Sequence, residues 1–287
     1  MLLDIAIADS YAAGFEFAKP ELLATRLNDF SCFYPHALDS NPAGMYTDDT
    51  QMSLGLAEWM LAQDSPEALR QASPISFVEK FVTGFHRDPR QTYSKRMYNF
   101  LKNNPTANEF MANVQPFSTR SGAAMRSSML GVLPELEDVL LIAKRQASVS
   151  HQTIEGISSA KAVALTSWFC HKGLPMADIP KALKEKVPQF TWDVLPSLPV
   201  SYEGVPCAQA AIYACLQPEL WEDHIKMLKT IVSWGGDTDT VAAIAIGIRS
   251  IQGHLEWPQW ALDHLENGPY GRDYLIGLDA RIKARWN

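Results

Sequence analysis

The stretch WGGDTDT at residues 234–240, followed by VAAIAIGI at residues 241–248, indicates where a buried helix begins. The second stretch is apolar on all sides, which is typical of a helix in the centre of a protein. The two glycines before it allow a tight turn in which the backbone approaches another group closely. Carboxylates at a helix start accept hydrogen bonds from free amides, but they are costly to bury without a partner.

Apolar residues three or four positions apart recur along most of the chain and predict an all-α fold. The predicted helices span residues 2–18, 50–62, 75–86, 122–131, 135–149, 154–171, 207–216, 219–232 and 239–251. No run of alternating β-branched residues indicates a sheet, and no connector resembles a linker between domains. We therefore expect one compact multi-helix domain over residues 1–287, with a proline-rich loop at 187–206.

Composition excludes several classes of protein. With 287 residues, 47% of them hydrophobic, the chain can bury a large core and is neither fibrous nor disordered. A net charge of −7 argues against nucleic acid as a partner. No apolar run approaches the roughly 20 residues that span a membrane, and no basic leader begins the sequence, so we expect a cytoplasmic protein with no membrane partner. The 4 cysteines form no CxxC pair that would indicate structural zinc.

A second acidic cluster, YTDDT at residues 46–50, precedes another helical pattern. Its residues could simply cap that helix, but one cap needs only one side chain. The adjacent carboxylates of Asp48 and Asp49 repel each other unless something positive lies between them. If this cluster meets Asp237 and Asp239 in space, the hard oxygen donors suit two Mg²⁺ or Mn²⁺ ions. Zinc fits less well, because no Cys or His is nearby in sequence.

Three further positions allow either a functional or a purely structural interpretation. Asp9 and Glu16 are seven residues apart, which on one helix places both acids on one face, although each could also pair locally or face solvent. The stretch STRSGAAMR at 118–126 offers unobstructed backbone amides for a diphosphate, or a capped helix that packs closely. His151 lies at another helix start, where it could either contact a ligand or serve as a structural residue.

These clusters together resemble the ADP-ribosylglycohydrolase family over about residues 4–260. The late GGDTDT and the early TDDT motifs are intact, and EWPQW at 256–260 is also similar to the family pattern. Two segments depart from that pattern. Ala8 stands where the family has glycine before the opening aspartate, and Arg120-Ser121-Gly122 stands where it has Gly-Asn-Gly.

The resemblance implies an all-α fold with a binuclear Mg²⁺ or Mn²⁺ centre at the N-termini of helices. The positions that match the family's metal ligands are Thr47, Asp48, Asp49, Asp237, Asp239 and Thr240. Glu16 matches an acid that is implicated in metal binding or catalysis. The positions assigned to substrate binding are Ser121 and Gly122 of the phosphate-side loop, His151, and the glycines Gly235 and Gly236.

The implied activity is metal-dependent hydrolysis of an ADP-ribosyl glycosidic bond. Glu16, Asp48 and Asp239 are the expected catalytic residues, and the expected partner is an ADP-ribosylated protein, with arginine as the first acceptor to test. Two alternatives stay open at this stage. The protein could bind ADP-ribose or an ADP-ribosylated partner without cleaving it, or the same acids could serve an unrelated metal-dependent phosphohydrolase.

Overall fold

Helices form most of the protein in a computed structural model that describes residues 1–27 and 30–286. The α-helices are α1 (Leu2–Ala12), α2 (Pro20–Arg26), α3 (Asp48–Leu61), α4 (Pro66–Gln71), α5 (Pro74–Arg87), α6 (Lys95–Asn103), α7 (Ala107–Asn113), α8 (Leu136–Ser148), α9 (Ile154–His171), α10 (Ile179–Lys186), α11 (Gly204–Leu216), α12 (Pro218–Trp221), α13 (His224–Trp234), α14 (Thr238–Arg249), α15 (Gln259–His264) and α16 (Arg272–Trp286). Only isolated β-bridges occur in the described ranges, so the all-α prediction is confirmed.

Helix α14 lies in the centre of the main hydrophobic core, as its apolar sequence predicts. Its residues 241–248 are at most 1% exposed, and it packs against α1, α9, α11 and α13. Because α14 buries apolar surface on every side, its N-terminus is held in one position in the fold. None of the helices in the described part of the chain has the length and apolarity needed to cross a bilayer.

The predicted helix over 2–18 is wrong in its second half. Helix α1 ends at Ala12, a 3₁₀ turn follows at Ala13–Phe15, and Glu16 has an extended backbone with ψ of 119°. The next residue, Phe17, takes φ of 43°, in the left-handed region, and its amide donates to the Gly236 carbonyl at 2.9 Å. This long-range bond draws the chain away from the helix axis, so Asp9 and Glu16 do not share a helix face.

The predicted helix over 122–131 is also replaced, by 3₁₀ turns at Ser121–Ala123 and Ser127–Val132. Side chains occupy the carbonyls that an α-helix would need. The guanidinium of Arg126 donates to the Gly122 carbonyl at 2.7 Å, and the hydroxyl of Ser127 donates to the Ala123 carbonyl at 2.7 Å. Polar side chains that bond nearby carbonyls compete with helical hydrogen bonding in this way.

Several elements of the fold lie outside the predicted helices. No helix is predicted at α2, α4, α6, α7, α10, α15 and α16, and the helix expected at 219–232 is divided into α12 and α13. Most of these helices are short or carry few buried residues.

Arg90 fixes the segment that leads into α3. Its guanidinium is 2% exposed, lies 3.9 Å over the Tyr46 ring and donates to the Tyr46 carbonyl at 3.0 Å. It also pairs with Glu266 at 2.5 Å and with Asp88. Glu266 in turn accepts from the Tyr46 amide at 3.0 Å. The residue before the early acidic motif is therefore held on both its amide and its carbonyl.

Replacement of this guanidinium, Arg90→Met, is expected to lower the free energy of unfolding by about 3 kcal/mol, because it leaves the two acids and a carbonyl without their cation. Urea unfolding measures the change. Arg281, exposed on α16, provides the control, since Arg281→Met removes the same group from a solvated face. Equal effects of both substitutions would contradict a specific role for Arg90.

Candidate functional site

The early acidic motif forms the N-terminus of α3. Thr47 is the N-cap, and its hydroxyl oxygen accepts from the Asp49 amide at 3.2 Å. Asp48 is the first helical residue and is partly exposed, whereas Asp49 is 4% exposed. The Asp48 amide donates to the Thr92 hydroxyl at 3.0 Å, so the first amides of α3 are used by other side chains, and only the helix dipole favours negative charge on Asp48 and Asp49.

Asp9 of α1 completes this helix start from a different element. One oxygen, Oδ2, accepts from the Thr47 amide at 2.9 Å, from the Thr50 amide at 3.1 Å and from the Thr50 hydroxyl at 2.5 Å. The other oxygen, Oδ1, is buried without a hydrogen-bond partner in the described structure. Asp9 therefore ties α1 to α3 and leaves one oxygen available to the site.

The late motif turns through its two glycines before α14 begins. Gly235 has φ of 66° and Gly236 has φ of 83°, and both values disfavour any residue with a side chain. A Cβ on Gly236 would lie 1.8 Å from the Val200 carbonyl oxygen. Val200 donates to the Gly235 carbonyl at 3.1 Å and accepts from the Asp237 amide at 3.0 Å. The glycines therefore allow the backbone of residues 235–236 to lie in close contact with the backbone of Val200.

Glu16 joins the late motif through the left-handed Phe17. The bond from the Phe17 amide to Gly236 holds Glu16 beside the start of α14, with 21% of its side chain exposed. A non-glycine residue in this region carries a strain of about 1 kcal/mol or more, which surrounding contacts must offset. The opening segment and the late motif therefore form one connected unit.

The acids of the two motifs lie close enough to raise each other's pKa. Burial, then repulsion from Asp48, Asp9 and Asp237, raises the pKa of Asp49 well above its ordinary value. Burial, then Glu16, Asp49, Asp237 and Asp9, raises the pKa of Asp239 in the same way. The Thr240 side chain interacts with both Asp49 and Asp237 and opposes the rise in their pKa. The structure thus brings the early and late motifs together.

Three other site carboxyls also have raised pKa values. Burial raises the pKa of Asp9 to about 6, against the opposing hydrogen bonds from Thr50 and Thr47. Burial together with Glu16 raises the pKa of Asp237 to about 6. Desolvation raises the pKa of Asp48 to about 7, with Glu16 and Asp9 adding to it. Such coupled carboxylates retain protons until a positive charge compensates them.

The site residues fit a divalent cation. In the described ranges, no lysine or arginine forms an ion pair with Asp9, Asp48, Asp49, Asp237 or Asp239. The Oδ1 atoms of Asp9 and Asp49 are buried without hydrogen-bond partners. Carboxylate and hydroxyl oxygens without a protein cation are the donor set that Mg²⁺ and Mn²⁺ prefer. The acids of both motifs, with Thr47 and Thr240, could hold such ions.

The loop that carries Ser121 and Gly122 adjoins this cluster. The Ser121 hydroxyl donates to Oδ2 of Asp237 at 3.4 Å, and the Ser121 amide donates to the Tyr202 carbonyl at 3.1 Å. Gly204 donates to the Thr119 carbonyl at 2.9 Å, so residues 200–204 contact both this loop and the glycine turn. The loop therefore forms a second wall beside the carboxylates.

His151 packs against the backbone of this loop. A Cβ on Gly122 would lie 3.1 Å from Cε1 of the His151 ring and 3.2 Å from its Nε2. Nδ1 of His151 lies 2.8 Å from the Ser150 hydroxyl. Burial, then the nearby Arg126, lowers the pKa of His151 to about 3, so the ring is neutral at ordinary pH. His151 thus lies behind Gly122 as an uncharged group.

The structure also places residues in the site that the sequence does not indicate. Nε2 of His36 lies 2.6 Å from Oε2 of Glu16, and Glu16, His36 and Asp239 offer ligand atoms within 4.8 Å of one another. The thiol of Cys207 lies 3.4 Å from Oδ2 of Asp237. Neither residue is near the acids in sequence, so the sequence does not indicate them. Both arrive from distant segments that no spacing rule connects.

Comparisons with known proteins bear on the family and the fold of this chain. The sequence profile of the family described as ADP-ribosylglycohydrolase matches residues 1–282. The chain is also similar to a solved structure described as an ADP-ribosylglycohydrolase-related protein complex. The two share 20% sequence identity and a TM-score of 0.70, over 99% of this chain and 95% of the other. At that identity the structural likeness bears on the fold alone.

Substitution Gly236→Ala is expected to destabilise the protein by about 3 kcal/mol or more, because the added methyl group collides with Val200 in a left-handed backbone. Thermal unfolding measures the loss. Gly277, in α16, has no atom within 4 Å of the position that a Cβ would take, so Gly277→Ala should be neutral or slightly stabilising. A Gly236→Ala variant as stable as Gly277→Ala would show that residues 235–237 can rearrange freely.

The raised carboxyl pKa values predict a specific pH dependence for the protein in chelator. The folded state retains protons that the unfolded state releases above its ordinary carboxyl pKa, so stability should fall as pH rises from about 4 to about 7. Melting temperatures across this range test the sign. Added Mg²⁺ or Mn²⁺ should raise the melting temperature more at pH ~7.5 than at pH ~5, because ionised carboxylates bind the cation.

The variant Asp239→Asn removes one of the repelling charges, so it should flatten the pH profile in chelator. A melting temperature that rises steadily with pH in chelator would contradict the repulsion inferred for the cluster.

Proposed function

Because this chain belongs to the ADP-ribosylglycohydrolase family, we propose that it hydrolyses the glycosidic bond that joins an ADP-ribosyl group to an acceptor. The observation that carries the proposal is the convergence of the TDDT and GGDTDT motifs on one buried cluster of acids, beside a loop with small residues. A capped helix start would explain either motif alone. It does not explain why the two starts face each other.

The proposed cofactor is a pair of Mg²⁺ or Mn²⁺ ions. Thr47, Asp48, Asp49, Asp237, Asp239 and Thr240 would hold them, since these side chains supply the oxygen donors of the cluster. When bound, such ions supply Lewis acidity and lower the pKa of a bound water. Asp48 and Glu16 are the partly exposed acids of the cluster. The ribose of an ADP-ribosyl group would therefore approach the cluster from their side.

The walls of the site would bind the rest of the ligand. Ser121 directs its hydroxyl at Asp237, and Gly122 lets the same loop pack closely on the His151 ring. A polar loop of this kind beside the cluster would suit the approach of a diphosphate. The neutral His151 supports Gly122 from behind without adding charge. Gly235 and Gly236 would act on the substrate only indirectly, because their left-handed turn places the late acids while Gly236 itself packs against Val200.

Glu16 is proposed as the group that moves a proton between water and the leaving group. Asp48 and Asp239 are proposed as the catalytic acids that interact with Glu16. Glu16 is 21% exposed, and among the neighbouring charges it contributes most to the raised pKa of Asp239. An acid at the mouth of the cluster can reach both a buried atom and the solvent. This position suits general acid–base work better than a fully buried carboxylate does.

We propose an ADP-ribosylated protein as the substrate and arginine as the modified side chain. A strongly acidic site favours a cationic guanidinium acceptor, because opposite charges raise encounter rates and exclude anionic acceptors. Phe17 and Tyr202 are 37% and 45% exposed, with ring centroids 6.3 Å apart, beside Glu16. Exposed apolar surface beside a site is typical of contact with another macromolecule.

The substitution Asp48→Asn should leave the fold intact and lower kcat/KM for release of ADP-ribose by more than about 100-fold, since loss of a group that merely supports a metal ligand already costs about 10–100-fold. Product formation from an ADP-ribosylated arginine substrate, with Mg²⁺, with Mn²⁺ and with chelator, measures the loss. The exposed Asp193 provides a matched control, and Asp193→Asn should have no effect. Hydrolysis by Asp48→Asn that continues in chelator would refute the mechanism.

The same assay separates the second candidate function, a module that binds ADP-ribose without cleaving it. Arg120 and Ser121 favour this candidate, since both differ from the family pattern beside the carboxylates. Tight calorimetric binding of ADP-ribose with no product from arginine, serine or small-molecule linkages would support binding alone. Release of ADP-ribose from any of them supports the hydrolase and identifies its acceptor.

A further inference from the structure

Arg126 is a buried cation that no carboxylate compensates. Its side chain is 1% exposed, and its guanidinium carbon lies 4.5 Å from the centre of the Phe81 ring. Among the residues that the structure describes, no aspartate or glutamate forms an ion pair with Arg126. Because a charge is costly to take out of water, a buried guanidinium without a counter-ion lowers the stability of the fold unless other groups bond to it.

Neutral acceptors bond to each nitrogen of this guanidinium. Nε donates to Oε1 of Gln146 at 2.5 Å, and Nη2 donates to the Gln146 carbonyl at 3.0 Å. Nη1 donates to the Gly122 carbonyl at 2.7 Å. These bonds replace water but leave the positive charge in place, since none of the acceptors is an anion. Burial lowers the pKa of Arg126 to about 9, so the guanidinium still carries its charge at neutral pH.

The Gly122 end of this network is the loop beside the acidic cluster. Arg126 holds the Gly122 carbonyl, and the Ser121 carbonyl accepts from the Ala124 amide at 2.8 Å. In a trans peptide the N–H points away from the C=O, so the Gly122 amide points away from that second bond. Within the described structure this amide has no acceptor, and Gly122 is partly exposed. The Gly122 amide is therefore available to a ligand.

We propose that Arg126 is a positioning residue of a diphosphate subsite, in which its uncompensated charge attracts the phosphates and its bond to Gly122 holds the loop that receives them. The acids beside Ser121 repel an anion, so a diphosphate next to them needs a positive charge behind the loop. The identity of this ligand rests on the proposed function, whereas diphosphate binding can be measured without hydrolysis.

A purely structural role for Arg126 would need its hydrogen bonds but not its charge. The charge, however, acts at the loop itself. Burial and then the charge of Arg126 lower the pKa of His151, and a Cβ on Gly122 would lie 3.1 Å from the His151 ring. A ligand at Gly122 would be exposed to the same positive field. The bonds and the charge are therefore two separable contributions.

Gln146 allows the charge to be cancelled while Arg126 stays unchanged. In Gln146→Glu the added carboxylate lies against the guanidinium and neutralises it, because Oε1 is already the acceptor of Nε. Gln146→Met removes the polar bonds of the same side chain without adding a charge, so it is the matched control. Gln189, exposed in the proline-rich segment, controls for net charge through Gln189→Glu.

Calorimetry with ADP and with adenosine, in buffer that contains Mg²⁺, measures the contribution of the phosphates. We expect Gln146→Glu to weaken ADP binding by about 10-fold or more relative to Gln146→Met, and to leave adenosine binding unchanged. Gln189→Glu should bind both ligands as the wild-type protein does. Equal ADP affinities of Gln146→Glu and Gln146→Met would show that the charge of Arg126 plays no part, and the inference would fail.

Spectra of the wild-type chain test the inference without any substitution, even if Gln146→Glu does not fold. In ¹⁵N–¹H correlation spectra, ADP should shift the Nε–H signal of Arg126 and the amide signal of Gly122, and adenosine should not. Unchanged signals at saturating ADP, or ADP that binds no more tightly than adenosine, would overturn the inference. Intact ADP binding without hydrolysis of any ADP-ribosyl substrate would count against the proposed function alone.

Discussion

The burial of several carboxylates next to one another is the constraint on which this structure depends. Asp9, Asp49, Asp237 and Asp239 are each at most 4% exposed, and no lysine or arginine in the described ranges pairs with them. The fold offsets part of this cost by aiming the amide ends of α3 and α14 at the acids. Threonine hydroxyls offset another part. The remaining repulsion is what a divalent cation would relieve.

Local patterns are sufficient to predict both helix starts. N-caps and apolar periodicity depend on residues within one or two turns, so Thr47 and Asp237 can be placed at helix ends without knowledge of the fold. The resemblance to a family then supplies the expectation that these ends meet. Nothing in the spacing alone can do so, because the segments between them decide the geometry.

The parts that sequence reasoning misses depend on contacts between distant segments or on competition by side chains. Glu16 lies beside the late motif and not on the helix predicted for it, because the bond from Phe17 to Gly236 overrides helical periodicity. Arg126 occupies a carbonyl that a helix over 122–131 would need. His36 is a single histidine in an irregular segment, and only the folded chain shows that it faces Glu16.

Residues 200–204 contact two walls of the site at once. Val200 is bonded on both sides of the glycine turn, while Tyr202 and Gly204 are bonded to the loop that carries Ser121. A displacement of this one segment would therefore move the glycine turn and the Ser121 loop together, since it is bonded to both. Sequence changes in the preceding proline-rich stretch could thus shift both walls over evolution without replacing any residue of the acidic cluster.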